Sequence, residues 1–404
     1  MQRPLGLAKY LADFGWKPVV ITPEPGIYHT FDSSLIYEVE THNIEVVRVQ
    51  NGSFFQSAGG KKKIRYSEAK GKLLRLFTSW FMFPDNKKGW IEPAVEKAIQ
   101  LHKKDRFDAL FSTGPPFSNH IIASKIKEET GLPLILDYRD DWLDNQYAAY
   151  PTSWHRDKIA ELEYNSIQSS NAITVVNSAY ENILFKRYPF IRRPIILPNG
   201  YDPEFTTNNT IRGANNKFVI TYSGLFHFQS QPDQFLKAVT FALKRNPDLA
   251  KDIEIQFVGS EGKAYEKLIK KSGLNGAVFF KGYKSHEETV RILQNSDLLL
   301  LILSDKTTMR NVTPGKMYEY FGTRKPVLAL VPKGISRHLL KRYKAAMISH
   351  PNDISMISHE LLKFYELWKK NKLPKGDQIF SESFNRKKQS GKLAGILNSV
   401  IKQL

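Results

Sequence analysis

Short apolar runs bounded by turn residues alternate with amphipathic stretches along most of the chain, the pattern of strands each followed by a helix. In the second half the runs are KFVITYSG (217–224), IEIQFVGS (253–260), VFFKG (278–282), DLLLLIL (297–303) and VLALV (327–331). Helices are predicted between them, to about Lys244, to Lys271 and from Ser285. In the first half, strands are predicted over Pro18–Thr22, 44–50, Phe107–Ser112, Pro133–Asp137, 171–176 and 194–198. Leu5, Ala8, Leu11, Ala12 and Phe14 make a helical stripe that Gly15 ends, and further helices are predicted over Ile91–His102, after a Ser118 cap, and over 155–169 and 178–187. Strands this apolar are buried on both faces, so the expected class is α/β, with mainly parallel sheets covered by helices. Helices over 352–370 and 387–403 close the chain.

The 404 residues are enough for two domains of ordinary size. Pro198-Asn199-Gly200-Tyr201-Asp202 is a turn signal, and the polar stretch from Thr206 to Asn216 reads as a linker. The expected domains are 1–205, with a last helix 387–404 returning to it, and 206–386.

Cysteine is absent, which excludes disulfides and cysteine-built metal sites and fits a reducing compartment. No apolar run approaches the roughly 20 residues a membrane span needs, and the amino terminus lacks a signal-peptide pattern, so a cytoplasmic protein is expected. Fifty-nine Lys and Arg against 40 Asp and Glu give a formal charge of +19, which calls for an anionic partner. One place for it is the segment from Lys61 to Phe83. There Lys61, Lys62, Lys63, Arg65, Lys70, Lys72 and Arg75 stand beside Leu73, Leu74, Leu76, Phe77, Trp80, Phe81 and Phe83. Such a mixture suits a helix lying on an anionic bilayer, at the inner face of the cell membrane; the alternative is a core helix with a solvated face.

The stretch RNVTPGKMYEYFGTRKPVLAL, from Arg310 to Leu330, carries the chemistry. Thr313 is expected to cap a helix whose first turn holds Pro314, Gly315 and Lys316, and Gly322 to stop it. Amides at such a helix start favour phosphate, and Lys316 adds a charge one turn in. Glu319, three residues on and on much the same face, can accept from two neighbouring hydroxyls. The alternative is an ordinary amphipathic helix with two solvated charges.

The pattern Pro-x-Lys-x-x-Glu-Tyr followed by Gly-x-x-x-Pro-Val-Leu resembles the donor-site helix of nucleotide-sugar glycosyltransferases of the GT-B fold, family 4. That resemblance implies two Rossmann-like domains facing a central cleft, Lys316 on the donor diphosphate and Glu319 on the ribose hydroxyls. Many members carry a second glutamate eight positions before the first, where Asn311 stands here and can still bond a hydroxyl. Gly224, ending the first strand of the second half, can let backbone approach a phosphate. Phe226-His227-Phe228-Gln229 replaces the basic residue that often follows, so Arg310 is the second candidate cation. The donor set is Gly224, Arg310, Asn311, Thr313, Gly315, Lys316 and Glu319.

The segments STGPPFSNH and LILDYRDDW resemble a bacterial polysaccharide-synthesis branch of the same family. They sit at the carboxyl ends of two predicted strands, where open α/β sheets bind ligands. Candidate catalytic residues are His120, Arg139 and Asp140. The alternatives are a structural histidine and an Arg139–Asp140 ion pair fixing the loop. In the family a first strand and a Pro-Pro-x-Gly-Gly loop precede a match to Gln2-Arg3-Pro4. The chain is therefore expected to lack that strand and loop, the alternative being a shortened natural domain.

The function expected is transfer of a sugar from a nucleoside-diphosphate sugar to a lipid-linked or polysaccharide acceptor. The resemblance implies retention at the anomeric carbon. No metal spacing is present, and no cofactor is expected, the nucleotide sugar being a substrate. A nucleotide-sugar epimerase on the same fold is the alternative. A basic nucleic-acid-binding protein is the remote one, for which no helix-turn-helix, RNA-binding aromatic signature or zinc spacing speaks.

Overall fold

A computed structural model of the chain describes residues 2–24, 34–50, 80, 83–85, 87–144, 150–205, 217–226, 230–259, 262 and 265–402. The expectations for Lys61–Lys63, for nearly all of the segment to Phe83 and for the linker 206–216 lie outside these residues. The chain divides into two compact units, Met1–Pro198 with Gln389–Leu404, and Asn199–Lys388.

The first unit opens with the helix Gln2–Leu11, and Gly15, at φ 79°, closes the turn that follows it. Strands β1 (Val19–Pro23) and β2 (Glu45–Val49) pair in parallel. Strands β3 (Leu110–Gly114), β4 (Leu134–Tyr138), β5 (Ala172–Val175) and β6 (Ile195–Ile196) form a second parallel sheet in that order. Among the described residues no ladder joins β1 to β3. One helix serves both, since Ile91–Lys104, with Trp90 at its N-cap, carries Ala94, Val95 and Ala98 into a cluster that takes in Trp90, Ile21 of β1 and Leu110 of β3. On the sheet's other face Ile135 and Leu197 pack with Leu7 and Leu11 of the first helix and with Leu393, Leu397 and Val400 of the last, Arg386–Ile401.

The core of the first unit contains a charge. Asp137 on β4 is fully buried, and Arg3 grips it with Nη2–Oδ1 2.7 Å and Nε–Oδ2 3.0 Å. Thr113 and Thr174 donate to the same carboxylate at 2.7 and 2.8 Å, and Arg3 also donates to the carbonyls of Leu197 and Pro198. Burial opposes ionisation of Asp137, but the Arg3 charge and these hydrogen bonds outweigh it and hold the carboxyl below its usual range.

The second unit is a six-stranded parallel sheet in the order β12-β11-β10-β7-β8-β9. The strands are β7 (Phe218–Ser223), β8 (Ile253–Val258), β9 (Val278–Gly282), β10 (Leu298–Ile302), β11 (Val327–Leu330) and β12 (Ala346–Ser349). Alternate residues of β10 serve the two faces. Leu298, Leu300 and Ile302 join Phe235, Val239, Leu361 and Phe364. Leu299 and Leu301 join Met317, Tyr320, Phe321 and Leu340. Both faces are covered by helices, so the strand reads as an unbroken apolar run. Ser285 caps His286–Asn295 in a full capping box with Glu288. The sequence pattern missed the helices Ser34–Thr41, Leu249–Asp252, Ile335–Tyr343 and Gln378–Glu382 and the edge strand β12. Most are only four to nine residues long, too short for a periodicity to stand out.

Candidate functional site

The helix that carries Lys316 and Glu319 runs from Gly315 to Thr323 and differs from expectation at both ends. Its N-cap is Pro314, extended at ψ 142°, and no side chain caps it, so Thr313 lies one residue outside and is buried. The start is open: a Cβ on Gly315 would meet nothing within 4 Å. At the other end the helix runs through Gly322 and stops at Arg324, in the left-handed conformation at φ 55°. Gly322 is required by proximity instead, because a Cβ there would lie 2.5 Å from Tyr201 Cγ.

Met317, Tyr318, Tyr320 and Phe321 anchor this helix in the core. Tyr320 ties it to the sheet, its hydroxyl accepting from Ser223 N at 3.2 Å and donating to the Leu300 carbonyl at 3.1 Å. That fixes where the other face points. Lys316 Nζ sits 3.7 Å from the centroid of the Tyr222 ring, beside Gly224 at the end of β7. A Cβ on Gly224, at φ 111°, would lie 2.8 Å from Lys316 Nζ. Among the described residues no carboxylate pairs with this ammonium, and the residue as a whole is half-buried. Burial of the ammonium lowers its pKa to about 7. A cation packed on an aromatic face without a counter-ion is set to accept an anion.

Glu319 is engaged on one oxygen. Its Oε1 accepts from Arg386 Nη2 at 3.2 Å and from His286 Nε2 at 3.3 Å. Neither partner was found by sequence reasoning, since Arg386 is 67 residues away and His286 33. Arg310 and Asn311 end the 3-10 turn Thr307–Asn311 ahead of the helix. Gly334 holds that turn, because a Cβ there would meet the Arg310 carbonyl oxygen at 2.2 Å, and the Arg310 side chain is exposed. The second unit thus brings Gly224, Lys316, the open helix start and Glu319 to the carboxyl ends of β7 and β10 and the helix beside them.

In the first unit His120 and Arg139 converge on Gly114. His120 is fully buried, with Nδ1 2.8 Å from Ser112 Oγ and no partner for Nε2 among the described residues, and burial takes its pKa down to about 3. A Cβ on Gly114 would lie 2.9 Å from that Nε2. Ser118 is the first residue of its helix, not the cap, and its amide donates to Asp85 at 2.8 Å. Arg139 donates through Nε to the Gly114 carbonyl at 3.2 Å and through Nη2 to that of Pro115. It does not pair with Asp140, so the loop is tied by carbonyl bonds. Burial raises the Asp140 carboxyl, with Arg139 pulling the other way. Asp141, beside it, takes both Arg187 nitrogens at 2.8 and 2.9 Å, and Arg187 also reaches Glu163 at 3.0 Å. This buried cluster went unread in the sequence.

Residues 206–375 match the model of the family described as glycosyl transferases group 1. No curated protein matches by sequence. Among solved structures the chain is similar to Anabaena Alr3699/HepE in complex with UDP, at 13% identity and TM-score 0.66, covering 98% of this chain and 95% of that one. It is similar also to a glycosyltransferase from Rickettsia africae, at 12% identity and TM-score 0.68, covering 100% and 95%. The sucrose-phosphate synthase of Thermosynechococcus elongatus aligns at 12% identity and TM-score 0.57, covering 98% and 89%. At these identities the likeness is one of fold, the GT-B fold. No helix among the described residues is long and apolar enough to cross a membrane. The family match thus lies within the second unit, over residues 206–375, and the GT-B fold is shared along nearly the whole chain.

Proposed function

We propose that the chain transfers a sugar from a nucleoside-diphosphate sugar, bound by the second unit, to a lipid-linked or polysaccharide acceptor. The observation that carries the donor half is the Lys316 ammonium, without a carboxylate partner among the described residues, at an open helix start with Glu319 three residues further along. The diphosphate meets Lys316, the first amides of the helix and the Gly224 backbone, and the ribose diol meets Glu319. UDP is the first nucleotide to test, because the similar Anabaena protein is named as a complex with it.

In the reaction the bond between anomeric carbon and phosphate oxygen breaks and charge gathers on the leaving diphosphate. A fixed cation and oriented amides stabilise that charge more than they stabilise the bound donor, which lowers the barrier. His120, Arg139 and Asp140 are assigned to the sugar and acceptor. Retention at the anomeric carbon and turnover without a metal belong to the proposal, as does a peripheral place on an anionic membrane through Lys61 to Phe83.

The test is calorimetry of the intact chain with UDP, GDP and ADP, followed by the preferred sugar nucleotide with and without acceptor. Release of nucleotide only when acceptor is present supports transfer. Formation of an isomeric donor without acceptor would instead favour an epimerase, and failure of all three nucleotides to bind removes the proposal.

A further inference from the structure

Glu319 is the centre of a three-residue arrangement that the donor-site reading does not use. Both of its partners lie on Oε1, and its other oxygen accepts nothing from the described residues. All three side chains are close to buried, at 12% exposed for Glu319, 11% for Arg386 and 6% for His286. In such surroundings a charge-assisted bond is stronger and more directional than at a free surface.

Each partner is itself held in place by the structure around it. Arg386 follows Asn385, which forms a parallel bridge with Tyr201. Tyr201 N donates to the Phe384 carbonyl at 3.0 Å, and Arg386 N donates to that of Tyr201 at 3.0 Å. This approach needs glycine at 200, where a Cβ would lie 2.3 Å from the Phe384 carbonyl oxygen and 3.2 Å from Arg386 Cγ. The Tyr201 ring in turn lies on Gly322 of the Glu319 helix. Two glycines therefore allow one crossing to lie on another and on the helix, which carries the Arg386 guanidinium to the carboxylate. His286 is the first residue of a helix fixed by the Ser285–Glu288 capping box, and its ring meets the Phe205 ring edge-on at 5.1 Å. Gln294 of the same helix donates to the Phe205 carbonyl at 3.0 Å.

We infer that Arg386 and His286 are positioning residues that occupy one oxygen of Glu319 and so fix the carboxylate for the vicinal diol of a ribose. The inference rests on the donor-site reading. With Oε1 saturated by two donors, Oε2 faces the hydroxyls with its rotamer already set, and binding does not have to order it. The benefit falls on the hydroxyl contacts alone. It therefore shows as discrimination between ribose and deoxyribose, and not as overall affinity for diphosphate.

The experiment titrates UDP, GDP and ADP, each beside its 2′-deoxy counterpart, into the intact wild-type chain and into Glu319→Ala, Arg386→Ala, Arg386→Lys and His286→Ala. Whichever nucleotide binds, wild type is expected to prefer ribose about tenfold or more. Glu319→Ala should bring that ratio close to one. Arg386→Ala and His286→Ala should each cut it several-fold while leaving affinity for the deoxy nucleotide within about twofold, and Arg386→Lys should recover part of the loss. If Glu319→Ala abolishes discrimination and neither neighbouring change alters it, the positioning role is wrong and the donor reading stands. Should Glu319→Ala itself leave the ratio untouched, the donor reading falls first. A rise in UDP affinity in Arg386→Ala would show that the arginine competes with the ribose, which also overturns the inference. Should Arg386→Ala not fold, Arg386→Gln and His286→Ala carry the same comparison.

Discussion

Lys316 Nζ lies 3.7 Å from the centre of the Tyr222 ring and would be 2.8 Å from a Cβ on Gly224, so one aromatic face and one missing side chain define the place of the ammonium. Removing the ammonium removes the only charge the helix start contributes. Lys316→Ala is expected to weaken nucleotide binding on the order of tenfold or more, the worth of a charged hydrogen bond to phosphate, while the fold persists. Calorimetry checks the affinity, and unchanged binding in both Lys316→Ala and Glu319→Ala would sink the donor assignment.

The same ammonium gives the protein a pH dependence with a definite sign. Its pKa in the folded chain is about 7, against an ordinary lysine value of 10.5. Between those values only the unfolded chain holds the proton, so this group makes stability rise with pH across that window. Nucleotide affinity runs the other way, since diphosphate favours the charged ammonium. At pH 8 binding of UDP should take up a proton, read as a heat that depends on the ionisation enthalpy of the buffer. Wild type should show it and Lys316→Ala should not; equal heats in all buffers for wild type would refute the coupling.

Gly224→Ala tests position without touching charge. The residue sits at φ 111°, where a side chain costs about 1–2 kcal/mol, and the new methyl takes the space of the ammonium. A modest fall in melting temperature with a loss of UDP affinity comparable to Lys316→Ala is expected. Wild-type affinity in a folded Gly224→Ala would show that phosphate does not approach there.

Arg3→Ala leaves the Asp137 carboxylate buried without its counter-charge. Breaking a buried pair in this way costs about 3–5 kcal/mol, and the loss should be confined to the first unit. Hydrogen exchange is the suitable probe, with protection falling on β3, β4 and β5 but not on the six-stranded sheet. The depressed Asp137 pKa means that its contribution is present above the ordinary carboxylate range and lost as pH falls through the folded value. Equal protection in Arg3→Ala and wild type would overturn this account of the core.

Lys61, Lys62 and Lys63 supply a test of the membrane proposal. Binding of the intact protein to vesicles rich in phosphatidylserine should weaken as salt rises, and replacing all three with glutamate should remove it. Indifference of wild type to such vesicles at low salt would leave the lysines as solvated surface.

Much of the second unit was legible because its strands are buried on both faces. β10 has to be apolar at every position, and Ser285 had its capping partner three residues away. What failed were inferences that used local chemistry where distant packing decides. Thr313 has the right chemistry for a cap, but the extended Pro314 moves the helix start past it. Gly322 looked like a stop, and is a glycine because Tyr201, 121 positions earlier, lies against it. Arg3, His286 and Arg386 carried no signal, since a charged side chain in sequence reads the same whether it meets water or a carboxylate brought from far along the chain. Arg139 and Asp140, whose ion pair was the alternative to a site role, are not paired, and the arginine bonds the Gly114 and Pro115 carbonyls.

The bridge between Tyr201 and Asn385 also has a topological meaning. The second unit begins at Asn199 and ends at Lys388, and its first and last few residues meet like the ends of a clasp, with Tyr201 and Phe384 buried where they join. Such a unit is an insert within the chain of the first, and its second boundary falls in the first turn of the helix Arg386–Ile401. A fragment spanning 199–388 would keep the sheet, Lys316, Glu319, His286 and Arg386 together with the Tyr201–Phe384 and Arg386–Tyr201 backbone bonds that tie its two ends.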